Sequence, residues 1–213
     1  MVNLIAIQFL ISGQQTGVTN LDSAVADAMR SVPRHAFVPE PLQRFAYRDH
    51  PLPVGHDQNI SSPFLVALMT QLAELEPGSV VFETGTGAGY HAAVLSGLVE
   101  KVYSVEVVAP LAQEAERRLK DLGYDNVRVK HGDGYYGWAD HAPYDAIIVK
   151  EALDHVPAPL MRQLRPGGHL VIPLGDLNGG QILTVIRKGA EGRITRKPVL
   201  PVVFSPLQGG ERT

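Results

Sequence analysis

The residues best placed for chemistry lie in one short segment, residues 80–90, with the sequence V-V-F-E-T-G-T-G-A-G-Y. An apolar run ends at Glu83, glycines follow at positions 85, 87 and 89, and apolar residues resume at Tyr90. This pattern predicts a buried strand, a loop with few side chains and then a helix. Glycine lets a ligand approach the backbone closely, and a helix N-terminus offers unpaired N–H groups. The segment therefore predicts a binding loop for a nucleotide-like ligand, although a strand-to-helix turn with incidental glycines has the same local pattern.

Two more acids, Glu106 and Asp133, stand where the next two predicted strands end, in K-V-Y-S-V-E and H-G-D-G-Y. In a doubly wound sheet, ligands bind at the carboxyl ends of the strands, so acids at these positions face a common site. Glu106 can accept hydrogen bonds from both ribose hydroxyls. Asp133 can accept one from an adenine amino group. Each acid alone is equally well a solvated strand end, but together with Glu83 they predict an adenosine pocket.

Regular alternation of strands and helices begins at residue 61 and predicts a mostly parallel, doubly wound α/β sheet. The apolar runs predict strands near 79–83, 102–107, 126–130, 145–149 and 169–173. Helices are predicted near 90–99, 110–122 and 158–164. An earlier helix is predicted to begin at Pro63, with Ser61 or Ser62 as its N-cap. Two further β-rich segments, 181–187 and 194–204, predict an antiparallel edge.

Residues 1–60 have a different character, with prolines at positions 33, 39, 41, 51 and 53 that break regular structure. We predict an N-terminal extension of short helices and loops over 1–60, packed on one globular catalytic domain over 61–213. The extension is expected to cover the carboxyl edge of the sheet, where ligands bind in this architecture.

The composition of the whole chain excludes several classes of protein. Its 213 residues are 45% hydrophobic, enough to bury a substantial core, and a net charge of −3 provides no general nucleic-acid surface. The chain contains no cysteine, so disulfide and thiolate chemistry are excluded and a cytoplasmic location is expected. The apolar stretch at 4–11 is far shorter than a membrane span. The histidines have no compact ligand spacing, so no metal site is expected.

The glycine spacing of the loop, E-x-G-x-G-x-G, resembles that of S-adenosylmethionine-dependent methyltransferases. It differs from the G-x-G-x-x-G of dinucleotide-binding folds, which disfavours a dehydrogenase. Longer segments on both sides of the loop resemble protein-L-isoaspartate O-methyltransferases. They are V-P-R-H-A-F-V-P (32–39), A-Y-R-D-H-P-L-P-V-G (46–55), Q-N-I-S-S-P (58–63), P-Y-D-A-I-I-V (143–149) and R-P-G-G-H-L-V-I-P-L-G (165–175). The segment that contains I-S-x-P is the most specific part of this resemblance.

This resemblance implies the seven-stranded sheet of that fold and a specific reaction. A methyl group passes from S-adenosyl-L-methionine to the free carboxylate of an L-isoaspartyl residue, leaving S-adenosyl-L-homocysteine, and the ester then collapses to a succinimide. Ser61 is implied as the catalytic residue that orients the acceptor carboxylate, although capping the helix before Pro63 is its alternative role. The implied cofactor-binding residues are Asn59, Ile60, Ser61, Glu83, Gly85, Thr86, Gly87, Gly89, Tyr90, Glu106, Asp133 and Gly134.

The sequence departs from the usual pattern of that family just before Ser61. Asp57 replaces a glycine, and Asn59 replaces a threonine. Asparagine keeps hydrogen-bonding capacity and tolerates turn geometry, so the cofactor contact is expected to survive. Asp57 brings a negative charge toward a site that must hold a carboxylate, which makes it a candidate substrate-binding residue.

A larger departure follows the fourth strand, where K-E-A-L-D at 150–154 replaces a run of small residues and a proline. Charged and bulky side chains here narrow or change the space for an acceptor, so Lys150 and Glu151 are also candidate substrate-binding residues. Lys150 either pairs with the acceptor carboxylate as a point charge, or is neutralised by Glu151 or Asp154 and faces solvent.

These departures leave three interpretations of the function open. The first is an isoaspartyl methyltransferase, and the second is a methyltransferase of the same fold that acts on a different carboxylate. The third is a cofactor-binding module that has lost catalysis and acts through a partner. The intact glycine loop and I-S pair favour the first. Proteins or peptides that contain isoaspartate are thus the expected partners, and neither nucleic acid nor membrane is expected.

Overall fold

The computed structural model of the chain describes residues 1–176 and 180–209. Residues 177–179 and 210–213, which belong to the predicted 61–213 domain, lie outside the described residues. The chain begins with helices α1 (Val2–Thr16) and α2 (Ser23–Ser31), followed by 3-10 turns at Arg34–Phe37 and Glu40–Phe45. A short antiparallel hairpin of β1 (Leu52–Gly55) and β2 (Gln58–Ile60) comes next.

The remaining elements build the central sheet and the helices that flank it. The helices are α3 (Pro63–Leu72), α4 (Tyr90–Ser96), α5 (Ala109–Asp121) and α6 (Ala158–Gln163), with further 3-10 turns at Gly134–Tyr136 and Ala139–His141. The strands are β3 (Val80–Thr84), β4 (Lys101–Glu106), β5 (Val127–His131), β6 (Tyr144–Ile148), β7 (Leu164–Leu174), β8 (Gln181–Lys188) and β9 (Ile194–Val202).

The seven strands lie in the order β5-β4-β3-β6-β7-β8-β9. Strands β3 to β7 are parallel, whereas β8 runs antiparallel to β7, and β9 antiparallel to β8. Strands such as β3 and β6 are buried on both faces, which explains why their sequences are continuous apolar runs. The predicted mostly parallel sheet with an antiparallel edge is confirmed.

The N-terminal residues share a hydrophobic core with the sheet domain. Ile5, Phe9 and Met29 are fully buried in the same cluster as Leu68 of α3 and Val94 of α4. The division of the chain at residue 60 stays a prediction, because a common core does not define a boundary. Within the described residues, no helix combines the length and apolar character needed to cross a bilayer.

Two local features differ from the sequence prediction, the β1–β2 hairpin and the end of α4, and the choice of N-cap for α3 that the sequence left open is decided. The hairpin β1–β2 replaces predicted loop, because its strands of four and three residues are too short for a periodic pattern. The N-cap of α3 is Ser62, whose Oγ accepts a hydrogen bond from the Leu65 backbone N–H at 3.4 Å, so Ser61 is not the cap. Helix α4 ends at Ser96, three residues earlier than predicted, and Gly97 follows it.

Candidate active site

A cavity of about 240 Å³ opens at the carboxyl ends of β3, β4 and β6. Its lining comes from three parts of the chain: the segment from β2 into the first turn of α3, the glycine loop, and residues 203–208. Of the predicted site residues, eleven line it: Asn59, Ile60, Ser61, Gly85, Thr86, Gly87, Tyr90, Glu106, Gly134, Lys150 and Glu151. The sheet edge therefore brings together most of the residues that the sequence singled out.

The glycine loop has the backbone shape that its composition predicts. Gly85, Gly87 and Gly89 all have positive φ angles, of 61°, 56° and 94°, which other residues adopt only with strain. Gly89 is the N-cap of α4 and does not line the cavity; a Cβ there would lie 3.1 Å from the Leu119 side chain. Gly85 and Gly87 thus face the cavity, while Gly89 serves the packing of the helix.

Glu106 ends β4 with its carboxylate at the cavity wall. Its Oε2 accepts a hydrogen bond from the Gly87 backbone N–H at 2.8 Å, and its Oε1 accepts one from the Val108 N–H at 3.0 Å. These two bonds hold the carboxylate rigidly, and each oxygen retains a lone pair for a further donor. Glu106 can therefore receive a pair of hydroxyl groups without losing its own support.

Asp133 offers a second acceptor beyond Glu106. Its Oδ1 accepts a hydrogen bond from the Tyr135 backbone N–H at 2.9 Å, whereas its Oδ2 is buried and, among the described residues, has no hydrogen-bond partner. A buried acceptor without a hydrogen-bond partner destabilises the protein. A ligand that donates an N–H to this oxygen removes that cost and binds more favourably. Asp133 itself does not line the cavity, but the adjacent Gly134 does. The unpaired oxygen lies beside Gly209, where a Cβ would overlap it, and within the part of the chain that the structure describes only Gly134 connects this carboxylate to the cavity wall.

Ser61 lines the same cavity as the glycine loop. Because Ser62 caps α3, the Ser61 hydroxyl is not needed for the helix, and among the described residues it makes no hydrogen bond. The Ser61 carbonyl oxygen instead accepts a hydrogen bond at 2.7 Å from Nη2 of Arg34, a fully buried residue. Ser61 thus has a fixed backbone and an available hydroxyl.

Arg34 is a functional candidate that reasoning from the sequence missed. Its Nε donates to the Ala46 carbonyl at 2.8 Å, and its guanidinium carbon lies 4.6 Å from the centre of the Tyr90 ring. The arginine was visible in the segment V-P-R-H-A-F-V-P, but nothing local indicates that it reaches Ser61, 27 residues later. His91 and residues 203–208 are further lining residues that were not predicted.

Lys150, which lines the cavity, forms an ion pair with Glu83 behind it. Lys150 Nζ lies 2.9 Å from Glu83 Oε2, and the other Glu83 oxygen accepts a hydrogen bond from the Ser104 hydroxyl at 2.7 Å. Thr86 extends this network through its hydroxyl, 2.6 Å from that of Ser104. Glu83 is completely buried and does not line the cavity. The partner of Lys150 is thus neither Glu151 nor Asp154, and the lysine does not face solvent.

Glu151 occupies the floor of the cavity beside Gly85. The Thr84 hydroxyl donates a hydrogen bond to Glu151 Oε2, and a Cβ at residue 85 would overlap the carboxylate. Burial raises the pKa of Glu151 to about 7, against the lowering effects of Thr84 and Lys150. Glycine at 85 is therefore required both by its φ angle and by the space that Glu151 takes.

The predicted substrate-binding residue Asp57 lies elsewhere. It is exposed at the turn of the β1–β2 hairpin, does not line the cavity, and has a φ of 56°. Glycine adopts a positive φ without strain, and aspartate is among the few other residues that tolerate it. Either residue therefore suits this position. The assignment of Asp57 to the acceptor stays a prediction, and its charge lies outside the cavity wall.

Comparisons with known proteins agree with this architecture. The family model of protein-L-isoaspartate (D-aspartate) O-methyltransferase matches residues 7–212. The chain is 51% identical to protein-L-isoaspartate O-methyltransferase 2 of Polaromonas sp., over 92% of each chain, and 49% identical to protein-L-isoaspartate O-methyltransferase 1 of Cupriavidus necator, over 98% of this chain and 81% of that protein. A solved protein-L-isoaspartate O-methyltransferase is 30% identical with a TM-score of 0.84; the match covers 98% of this chain and 66% of that longer one. The chain belongs to the protein-L-isoaspartate (D-aspartate) O-methyltransferase family.

Proposed function

We propose that this protein transfers a methyl group from S-adenosyl-L-methionine to the free carboxylate of L-isoaspartyl residues in damaged proteins or peptides, in the cavity lined by Ser61 and the glycine loop. Membership of the family gives the reaction class, so the chain is an S-adenosylmethionine-dependent protein carboxyl O-methyltransferase. The ester formed is the species from which a succinimide, and then normal aspartate, can arise.

The observation that carries this proposal is the arrangement of Ser61 and Ser62. Ser62 caps α3, which leaves the Ser61 hydroxyl available in the cavity that the glycine loop also lines. The hydroxyl can donate to an acceptor carboxylate and orient it, while the N-terminal end of α3 favours negative charge at the same place. An acceptor anion is thus bound by groups that the fold already holds in position, so little free energy is needed to orient them.

The cofactor residues proposed are those on the other walls. The unpaired Asp133 oxygen accepts from the adenine amino group, and Glu106 accepts from the ribose hydroxyls, with Gly85 and Gly87 allowing close approach of the ligand. When bound, S-adenosylmethionine supplies an activated methyl group. Asn59, Ile60 and Tyr90 complete the walls beside Ser61.

The protein's own contribution is positioning and exclusion of water. A carboxylate is already ionised at neutral pH, so the reaction needs no strong general base. Ser61 holds the acceptor oxygen in line with the methyl group, and such alignment supplies a large part of a rate enhancement. The β1–β2 hairpin and residues 203–208 line the site and limit the access of water, which solvates the acceptor carboxylate and competes with it for the methyl group.

The acceptor is tested with two peptides that differ only in isoaspartate or aspartate at one position. Purified protein and labelled S-adenosylmethionine are expected to give a base-labile methyl ester on the isoaspartyl peptide alone. Cofactor binding without transfer to either peptide would reject the proposal. Ser62→Ala, which removes the cap beside the catalytic serine, is the matched comparison for Ser61→Ala in the same assay.

A second candidate, a methyltransferase for a different carboxylate, is favoured by one observation. Lys150 and Glu151 stand where the family usually has small residues, and Glu151 fills part of the cavity floor. The double substitution Lys150→Thr with Glu151→Ala would restore the usual residue types, and Glu83→Gln is added so that no buried charge is left without its partner. If this variant, at saturating S-adenosylmethionine, is much more active on the isoaspartyl peptide than wild type, the native acceptor differs from that peptide. We further propose that the protein works in the cytoplasm on protein acceptors, without nucleic-acid or membrane partners.

A further inference from the structure

Three carboxylates follow the edge of the sheet in the order of the strands. Asp133 follows β5, Glu106 ends β4, and Glu151 follows β6, with β3 between the last two. Adjacent strands are separated by about 4.8 Å, so the row from β5 to β6 spans about 14 Å. If a ligand places its adenine at Asp133 and its ribose at Glu106, the group attached to the other side of the ribose must therefore extend past β3 toward Glu151.

Glu83, the acid at the end of β3, is not available to bind that group of the ligand. Both oxygens of Glu83 are engaged, one by Lys150 Nζ at 2.9 Å and the other by the Ser104 hydroxyl at 2.7 Å. The side chain is completely buried and does not line the cavity. A cationic group at this part of the cavity thus meets Glu151 rather than Glu83.

Glu151 is built into the cavity floor next to the glycine loop. Its carboxylate packs against Gly85, where any Cβ would overlap it, and the Thr84 hydroxyl donates to its Oε2. The Lys150 backbone N–H donates to the same Thr84 oxygen at 3.2 Å, which fixes the hydroxyl that supports Glu151. The carboxylate is therefore held in place by two strands and faces the loop that the ligand must contact.

We propose that Glu151 binds the α-ammonium group of the methionine part of S-adenosylmethionine. This inference rests on the proposed function, since it takes the cofactor as the ligand of the cavity. A charge-assisted hydrogen bond between an ammonium and a carboxylate is strong where water is excluded. It also gives a buried acid the cationic partner that the free protein does not provide, because Lys150 is committed to Glu83.

The protonation of Glu151 gives this contact a pH dependence. The charged groups that act on its carboxyl are Lys150, which lowers the pKa, and Glu106 and Glu83, which raise it, while burial raises it most, to about 7. Only the ionised carboxylate pairs with an ammonium, so affinity falls when the free protein holds the proton. Between pH 6 and pH 8, the ionised fraction and hence the affinity are expected to rise about tenfold.

The test compares two ligands by calorimetry. S-adenosylhomocysteine carries the amino-acid group, whereas 5′-methylthioadenosine keeps the adenosine and the sulfur but lacks that group. Glu151→Gln is expected to weaken binding of S-adenosylhomocysteine by about 10- to 100-fold and to leave binding of 5′-methylthioadenosine unchanged. The second ligand also reports that the variant is folded. Glu106→Gln is expected to weaken both, and Glu116→Gln, on the exposed face of α5, neither.

Equal effects of Glu151→Gln on the two ligands, or no effect on either, would overturn the inference. The wild-type protein provides a second measurement that needs no variant: S-adenosylhomocysteine affinity must rise from pH 6 to pH 8, and 5′-methylthioadenosine affinity must not. The proposed function fails separately, if wild-type protein binds S-adenosylhomocysteine but methylates no isoaspartyl peptide. In that case the two-ligand comparison still decides the role of Glu151.

Discussion

The guanidinium of Arg34 holds the backbone of Ser61 from behind the cavity wall, with Nη2 at 2.7 Å from the Ser61 carbonyl oxygen. The same side chain binds the Ala46 carbonyl and lies over the Tyr90 ring. A single buried cation therefore ties the N-terminal residues, the segment that contains Ser61 and the first residue of α4 together. The position of the Ser61 hydroxyl depends on a residue that does not line the cavity.

We predict that Arg34→Lys lowers kcat for the isoaspartyl peptide by about tenfold, because lysine cannot bond two carbonyls in a fixed fork and stack on an aromatic ring. If Arg34 acts by positioning Ser61, the same change in a Ser61→Ala background costs much less, since the hydroxyl is already absent. Steady-state kinetics of the four proteins measure this coupling. Equal losses in both backgrounds would indicate a purely structural role, and the exposed Arg30→Lys is the control.

We predict that the two adjacent serines affect different properties, Ser61 the activity and Ser62 the stability. Ser61→Ala is expected to lower kcat by about 10- to 100-fold, through loss of acceptor alignment, with cofactor affinity and stability little changed. Ser62→Ala is expected to lower the free energy of unfolding by about 1 kcal/mol, through loss of the N-cap. Peptide kinetics and urea unfolding of both variants check this pair. A parallel loss of cofactor affinity in Ser61→Ala would place that residue in cofactor binding instead.

The stability of the protein is expected to fall as the pH rises toward 7 because of Glu151. Its pKa is 4.5 when unfolded and about 7 in the folded protein, so between these values the native state holds a proton that the unfolded state has lost. Stability therefore decreases with pH across this window and stays lowered above it. Glu151→Gln removes the effect, and its urea midpoint should exceed that of wild type at pH 8 by an amount equivalent to more than about 1 kcal/mol. At pH 4.5 the difference should largely vanish.

Breaking the buried ion pair from one side should be strongly destabilising. Lys150→Met leaves the carboxylate of Glu83 buried without its counter-charge, which is expected to cost about 3–5 kcal/mol. Adding Glu83→Gln should recover part of this loss, because the uncompensated charge is then gone. Urea unfolding at pH 7.5 measures both variants. The exposed pair of Arg30 and Asp27 is the matched control, and Arg30→Met should cost no more than about 1 kcal/mol.

Patterns that depend on near neighbours were predictable from the sequence. The apolar runs located the strands of the sheet, and the alternating glycines located the loop whose backbone adopts positive φ. The position of Glu106 at the end of β4 was also predictable, because the apolar run that marks the strand stops there. The β1–β2 hairpin was missed, since a few residues interrupted by prolines carry too little periodic signal.

Contacts between residues far apart in the chain could be recognised only in the tertiary structure. The sequence alone determined the fold class, the glycine loop and the acids at strand ends, because parallel strands carry their ends to one edge whatever the details of packing. Only the fold decided that Lys150 pairs with Glu83, that Arg34 supports Ser61, and that Glu151 lies against Gly85. These pairings depend on strand register and on which side chains are left without water. The same charged residues at 150–151 could have faced solvent in another packing, so their role follows from burial and not from their type.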